Sequence, residues 1–251
     1  MIRSFENIGS IEKRGSVLEY EYFGEVNKFN YSQEAEKYLN PEPIQIKTQD
    51  DIFRAIQKKY EMHDYSESYK DNSYINYKDA MAIVEKCQPG NPESPRVLFA
   101  NFLRKRVAEI LEEQFKDKEG QFRVKFFTAV GSHLDTKHGV DAFIKIYDQE
   151  EREVGVVTLD ISARDKGFSK TDLLIMINDE ERDLYDRDSV KFNKEEFYNK
   201  VNNEALNIVH IFENKINNEK KVKDGKIVRS NSEDEYFERR RPRFSQTSGL
   251  N

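Results

Sequence analysis

The chain has 251 residues, a length that fits one domain with attachments or two small ones, and its 41 basic against 47 acidic side chains leave a net charge of −6. A charged fraction of 35% beside an apolar fraction of 37% makes it polar, but 17 Phe and 13 Tyr are too many aromatics for a wholly disordered chain. The lone Cys87 excludes an intramolecular disulfide or thiolate cage, and the absence of any apolar run of roughly 18 residues or of a signal-like start predicts a soluble, cytoplasmic protein without a membrane partner.

Residues 1–96 read as a mixed N-terminal extension of short helices and strands. In it GSVLEYEYFGEVNKFNY suggests one or two extended segments, DDIFRAIQKKYEM a short helix capped by Asp50, and YKDAMAIVEKC a second one. The proline-rich PGNPESP, Pro89 to Pro95, marks a boundary. Residues 97–116 then carry a helical stripe through Phe99, Leu103, Val107, Ile110 and Leu111. Strands are expected at 122–130, 139–147, 154–162 and 171–177, and a long helix follows in which Phe197, Val201, Ala205, Ile208, Phe212 and Ile216 recur at helical spacing. The fold class predicted is α/β in the α+β sense: a mixed sheet flanked by helices over 97–217, followed by a disordered charged tail over 218–251.

Alternation within two of the strands isolates two acids. Val140, Ala142, Ile144 and Ile146 form one apolar face and Asp141, Phe143 and Lys145 the other; Val157, Leu159 and Ile161 oppose Val156, Thr158, Asp160 and Ser162. Asp is poorly suited to strands, and burying its charge is costly unless it is paired or binds a metal. Two acids on neighbouring strands repel, and a divalent cation is one remedy; pairing with a nearby Lys or Arg, or exposure at a strand end, is the other.

Helix, three-stranded meander, GVDAF and VTLDIS together resemble the PD-(D/E)XK nuclease superfamily over about residues 97–217. The resemblance implies a restriction-endonuclease-like core and a Mg²⁺- or Mn²⁺-dependent nuclease that hydrolyses phosphodiester bonds of nucleic acid, with Asp141 and Asp160 as metal ligands and catalytic residues. It also implies a lysine two residues after Asp160, where this chain has Ser162. Lys170, reaching back from the next segment, is the expected replacement, and Lys145 is the other candidate. The superfamily often adds an acid from its first helix; Glu113, bordering the stripe of the 97–116 helix, is the first candidate and Glu109 the second.

The stretch GSHLDTKHGVD gathers His133, Asp135, His138 and Asp141, a set able to bind a transition metal, but it falls in a turn where polar residues are ordinary. His138 is expected instead as a phosphate contact, alongside Arg104, Lys105 and Lys145. Further basic clusters at Lys220 to Lys226 and Arg239 to Arg243 belong to the mixed-charge tail. The competing reading is a catalytically inactive relative on the same scaffold that binds nucleic acid or assembles with a partner. Metal-dependent melting separates the two.

Overall fold

A computed structural model describes residues 17–39, 74–115, 122–167, 169–185 and 189–223, with side chains to 218. The expected helix at 50–62 and the tail beyond 223 lie outside the described residues. In chain order the elements are α1 (17–23), α2 (Lys28–Leu39), α3 (Tyr77–Lys86), α4 (Leu98–Gln114), β1 (Arg123–Thr128), α5 (His133–His138), β2 (Ala142–Tyr147), β3 (Glu153–Ser162), β4 (Leu173–Met176), α6 (Asp179–Tyr185) and α7 (Lys194–Lys223). The four strands make one mixed sheet in sequence order, antiparallel from β1 to β3 and parallel between β3 and β4. Helices flank it, as the sequence predicts.

The segment expected to be extended is helical instead. In VLEYEYF the acids alternate and suggest a strand, but the buried residues are Leu18, Tyr22 and Phe23, at spacings of a helix face. Asn76 starts α3 by accepting from Asp79 N at 2.9 Å. The turn before β2 contains α5, capped by Ser132, whose hydroxyl accepts from Leu134 N and Asp135 N, and ended by Gly139 at φ 72°. Helix α7 runs past the expected limit of 217, since the Glu- and Lys-rich stretch there consists of good helix formers even without an apolar stripe.

One face of the sheet carries the stacked pair Phe127 and Phe143, ring centroids 5.0 Å apart, and buries Tyr31 and Ala35 of α2, Ile83 and Val84 of α3 and Leu134 of α5. Residues on both sides of the proline-rich segment therefore share one core. That segment also borders β1: Phe126 N donates to Pro92 O at 2.9 Å, while the Gln88 amide accepts from Thr128 N and donates to Thr128 O, both at 3.0 Å. On the opposite face α4 packs on β1, and Phe99 of α4 meets Phe197 of α7 edge to face.

Gly155 of β3 lets α7 approach closely, because a Cβ there would lie 2.6 Å from the ring of Phe212. Gly155→Ala is expected to destabilise the fold by about 1–3 kcal/mol through overpacking. Urea unfolding checks this: the midpoint should fall at constant slope, and an unchanged midpoint would mean that the ring yields freely. Among the described residues no helix is long and apolar enough to cross a membrane.

Candidate metal and phosphoryl site

Asp141 and Asp160 meet because of strand register. Ala142 is paired with Leu159, and one further step along the antiparallel ladder sets Asp141 opposite Asp160 on the same face. Asp141 is held by its backbone, its N–H donating to Leu159 O at 3.0 Å and its carbonyl accepting from Ala129 N at 2.8 Å. The regular pairing ends there. The next amide of β3, Ile161 N, donates to Asp141 Oδ2 at 2.8 Å, so a carboxylate takes the place of a ladder carbonyl. Both acids are buried, Asp141 at 3% and Asp160 at 6% exposure.

Two further acids join Asp141. Helix α1 is anchored by buried Leu18, Tyr22 and Phe23 and thereby directs Glu19 into the site; α5 brings Asp135, whose Oδ2 accepts from Gly131 N at 2.8 Å. Carboxylate oxygens of Glu19, Asp135 and Asp141 all lie within 4.8 Å of one another. Each carboxyl is harder to ionise than usual. Glu19 is pushed up to about 7, first by burial and then by the charge of Asp135. Burial also raises Asp135, against the opposing Gly131 N–H. Asp141 is raised by burial, by the charge of Glu19 and by Asp160, with the Ile161 N–H working the other way. Oxygen donors, one buried and two half-buried, that repel one another at this spacing fit a hard divalent cation, which bonds carboxylates at roughly 2.0–2.6 Å.

The cation already at the site is Lys166. Its Nζ donates to Asp160 Oδ1 at 2.8 Å and Oδ2 at 3.0 Å, and Ser169 Oγ lies 3.4 Å from the same Oδ2. Ser162, where the superfamily pattern has lysine, is buried and its hydroxyl accepts from Arg164 N. The lysine on Asp160 is thus Lys166 and not Lys170, which is exposed, stands beside Gly139 and makes no ion pair with either aspartate.

The other expected residues are engaged elsewhere. Glu113 is 59% exposed and faces Arg106 across 3.8 Å, and Glu109 faces the same arginine at 3.1 Å, so neither helix acid joins the cluster. Their helix, α4, packs on β1, while the acid at the site comes from α1. Lys145 is clamped between Glu85 and Glu153 and is free neither for the aspartates nor for phosphate. Arg104 donates to Glu93 O at 2.9 Å, and Lys105 lies over the Phe102 ring. His138 Nε2 bonds Ile75 O at 2.9 Å between Tyr74 and Tyr77, and His133 Nδ1 bonds the Tyr31 hydroxyl at 3.0 Å. Both imidazoles tie α5 to neighbouring segments; of the four residues GSHLDTKHGVD offers, the acids Asp135 and Asp141 form the cluster.

Glu19 and Lys166 escaped the sequence reading. The four-residue spacing of Leu18 and Tyr22 was the available signal for Glu19; no periodicity signals a lysine in the connection after Ser162. A scan against protein-family models and searches of curated proteins and of solved structures give no match.

Proposed function

We propose that this protein is a divalent-cation-dependent phosphodiesterase acting on nucleic acid, related to the PD-(D/E)XK nucleases with its lysine relocated. The observation that carries the reading is the ammonium of Lys166 on Asp160, next to the strand partner Asp141 and its two companion acids. That arrangement restores the charge missing from Asp160-Ile161-Ser162. A nucleic-acid substrate is part of the proposal, drawn from the superfamily resemblance.

Glu19, Asp135 and Asp141 would hold Mg²⁺ or Mn²⁺, which supplies Lewis-acid stabilisation of the phosphoryl oxygens and eases deprotonation of water. Asp160 accepts from Lys166 and so fixes the ammonium at the edge of the acid cluster. From there Lys166 orients the attacking water and stabilises charge that develops on the phosphoryl group. In the balanced hydrolysis the water oxygen bonds to phosphorus, one P–O ester bond breaks, and a water proton ends on the departing oxygen.

Cleavage of plasmid DNA, single-stranded DNA and RNA is expected with Mg²⁺ or Mn²⁺ and none with excess EDTA. Metal-dependent melting without cleavage of any of the three would instead support the inactive binding protein. Absence of both responses would remove the metal site altogether.

A further inference from the structure

The connection that carries Lys166 leaves β3 at Ser162 and returns at Asp172, just before β4. Its return end is fastened to the middle of β3. Asp172 Oδ2 accepts from both Thr158 N and Thr158 Oγ1 at 2.8 Å, and Asp172 N donates back to Thr158 Oγ1 at 2.9 Å. Thr158 is itself buried and lies two residues before Asp160 on the same strand face. The parallel pairing of β3 with β4 begins only at Leu159 with Leu173, so the Asp172 carboxylate serves as the ladder acceptor one step before the ladder starts.

The neighbouring contacts pass this anchorage to the site. Thr171 N donates to Ser169 Oγ, the Ser169 and Thr171 hydroxyls lie 2.6 Å apart, and Thr171 Oγ1 donates to Leu173 O. Ser169 and Lys166 both reach Asp160. Bonds through Thr171 therefore join Leu173 O of β4 to Ser169, the second point of contact with the aspartate, and Asp172 is the residue between Thr171 and Leu173.

We infer that Asp172 is a positioning residue for Lys166: its clasp on Thr158 fixes the return end of the 163–172 connection and thereby the place of the ammonium on Asp160. The inference rests on Lys166 acting in phosphodiester cleavage. Because a misplacement of about 1 Å can cost on the order of 100-fold in rate, loss of the clasp should act on turnover more than on substrate binding.

The test compares Asp172→Ala, Asp172→Asn, Lys166→Met and the double variant Asp172→Ala/Lys166→Met in the full chain. Two readouts are used: kcat and KM for the best-cleaved nucleic acid with Mn²⁺, and amide hydrogen exchange across 163–171. Asp172→Ala should lower kcat by roughly 10- to 100-fold at nearly constant KM and speed exchange across 163–171. Asp172→Asn, which keeps an amide oxygen to accept from Thr158, should restore both. The double variant should be no slower than Lys166→Met alone, because the clasp acts only through that lysine. Multiplying losses in the double variant, or unchanged exchange in Asp172→Ala, would overturn the inference, as would an Asp172→Asn protein as slow as Asp172→Ala. Failure of the wild type to cleave defeats the phosphodiesterase reading and, with it, a catalytic consequence of the clasp. The exchange readout separately decides whether the clasp orders the connection.

Discussion

Replacing Lys166 by methionine is expected to cut the cleavage rate by about 100- to 1,000-fold while leaving the Mn²⁺-dependent rise in melting temperature in place. The magnitude is that of removing one preorganised donor from a developing phosphoryl charge. The selectivity follows from position: the ammonium contacts Asp160, whereas the oxygens that converge for a cation belong to Glu19, Asp135 and Asp141. Methionine retains much of the unbranched stem, so packing along it is kept while the charge is lost. Arginine at 166 keeps the charge but presents a planar fork, and only partial recovery is expected. A Lys166→Met protein that cleaves within twofold of the wild type would remove this lysine from the proposed chemistry.

The second large effect belongs to Asp141. In wild-type protein a saturating divalent cation, at about 100 times its dissociation constant, should add about 2.7 kcal/mol of stability. For a chain of this size that is roughly 5–10 °C in melting temperature. Asp141→Asn should abolish that response and all cleavage, yet melt higher than the wild type when both are held in chelator at pH 8. The amide oxygen can still accept from Ile161 N, and the folded state no longer contains a carboxyl whose ionisation burial and Glu19 oppose.

The pH dependence has a definite sign. Glu19 and Asp141 hold their protons to higher pH in the folded protein than a free carboxyl does, so the native state binds more protons above about pH 4. In chelator the wild type should therefore lose stability as pH rises from about 4 through about 7, where Glu19 ionises. Asp141→Asn should flatten that loss. Melting curves in EDTA between pH 4.5 and 8 measure it; stability that rises over this interval in the wild type would contradict the crowding of charge described for the site.

The sheet was legible in the sequence because its strands combine β-branched and aromatic residues with a period of two, which leaves one register in which Val157, Leu159 and Ile161 are buried together. Asp141 and Asp160 stood out for the same reason, as acids that break an otherwise apolar pattern. Helices α4 and α7 followed from the spacing of Phe99, Leu103 and Val107 and of Phe197, Val201 and Ala205. Glu19 was hidden because VLEYEYF satisfies two periods at once, and only contact with Phe99 and Phe126 selects the helix. Lys166 was hidden for a different reason. It reaches Asp160 from a connection whose other hydrogen bonds, Asp172 to Thr158 and Ser169 to Asp160, depend on the tertiary meeting of β3 and β4 and leave no local pattern. The histidines were ambiguous in the sequence because imidazole beside carboxylate reads alike in a metal site and in a capped turn, and here they bond Tyr31 and Ile75.

The Gln88 amide and Pro92 carbonyl against β1 bear on how copies of this chain behave at high concentration. A sheet's outer strand with open amides is a template on which a second molecule can add a strand. Here the outward amides of Phe126 and Thr128 are already taken, and the segment that takes them contains Pro89 and Pro92, which have no N–H to offer an incoming chain. From Phe126 to Thr128 that edge is closed to sheet extension, so the punctuation between α3 and α4 also shortens the edge that β1 could offer to another copy.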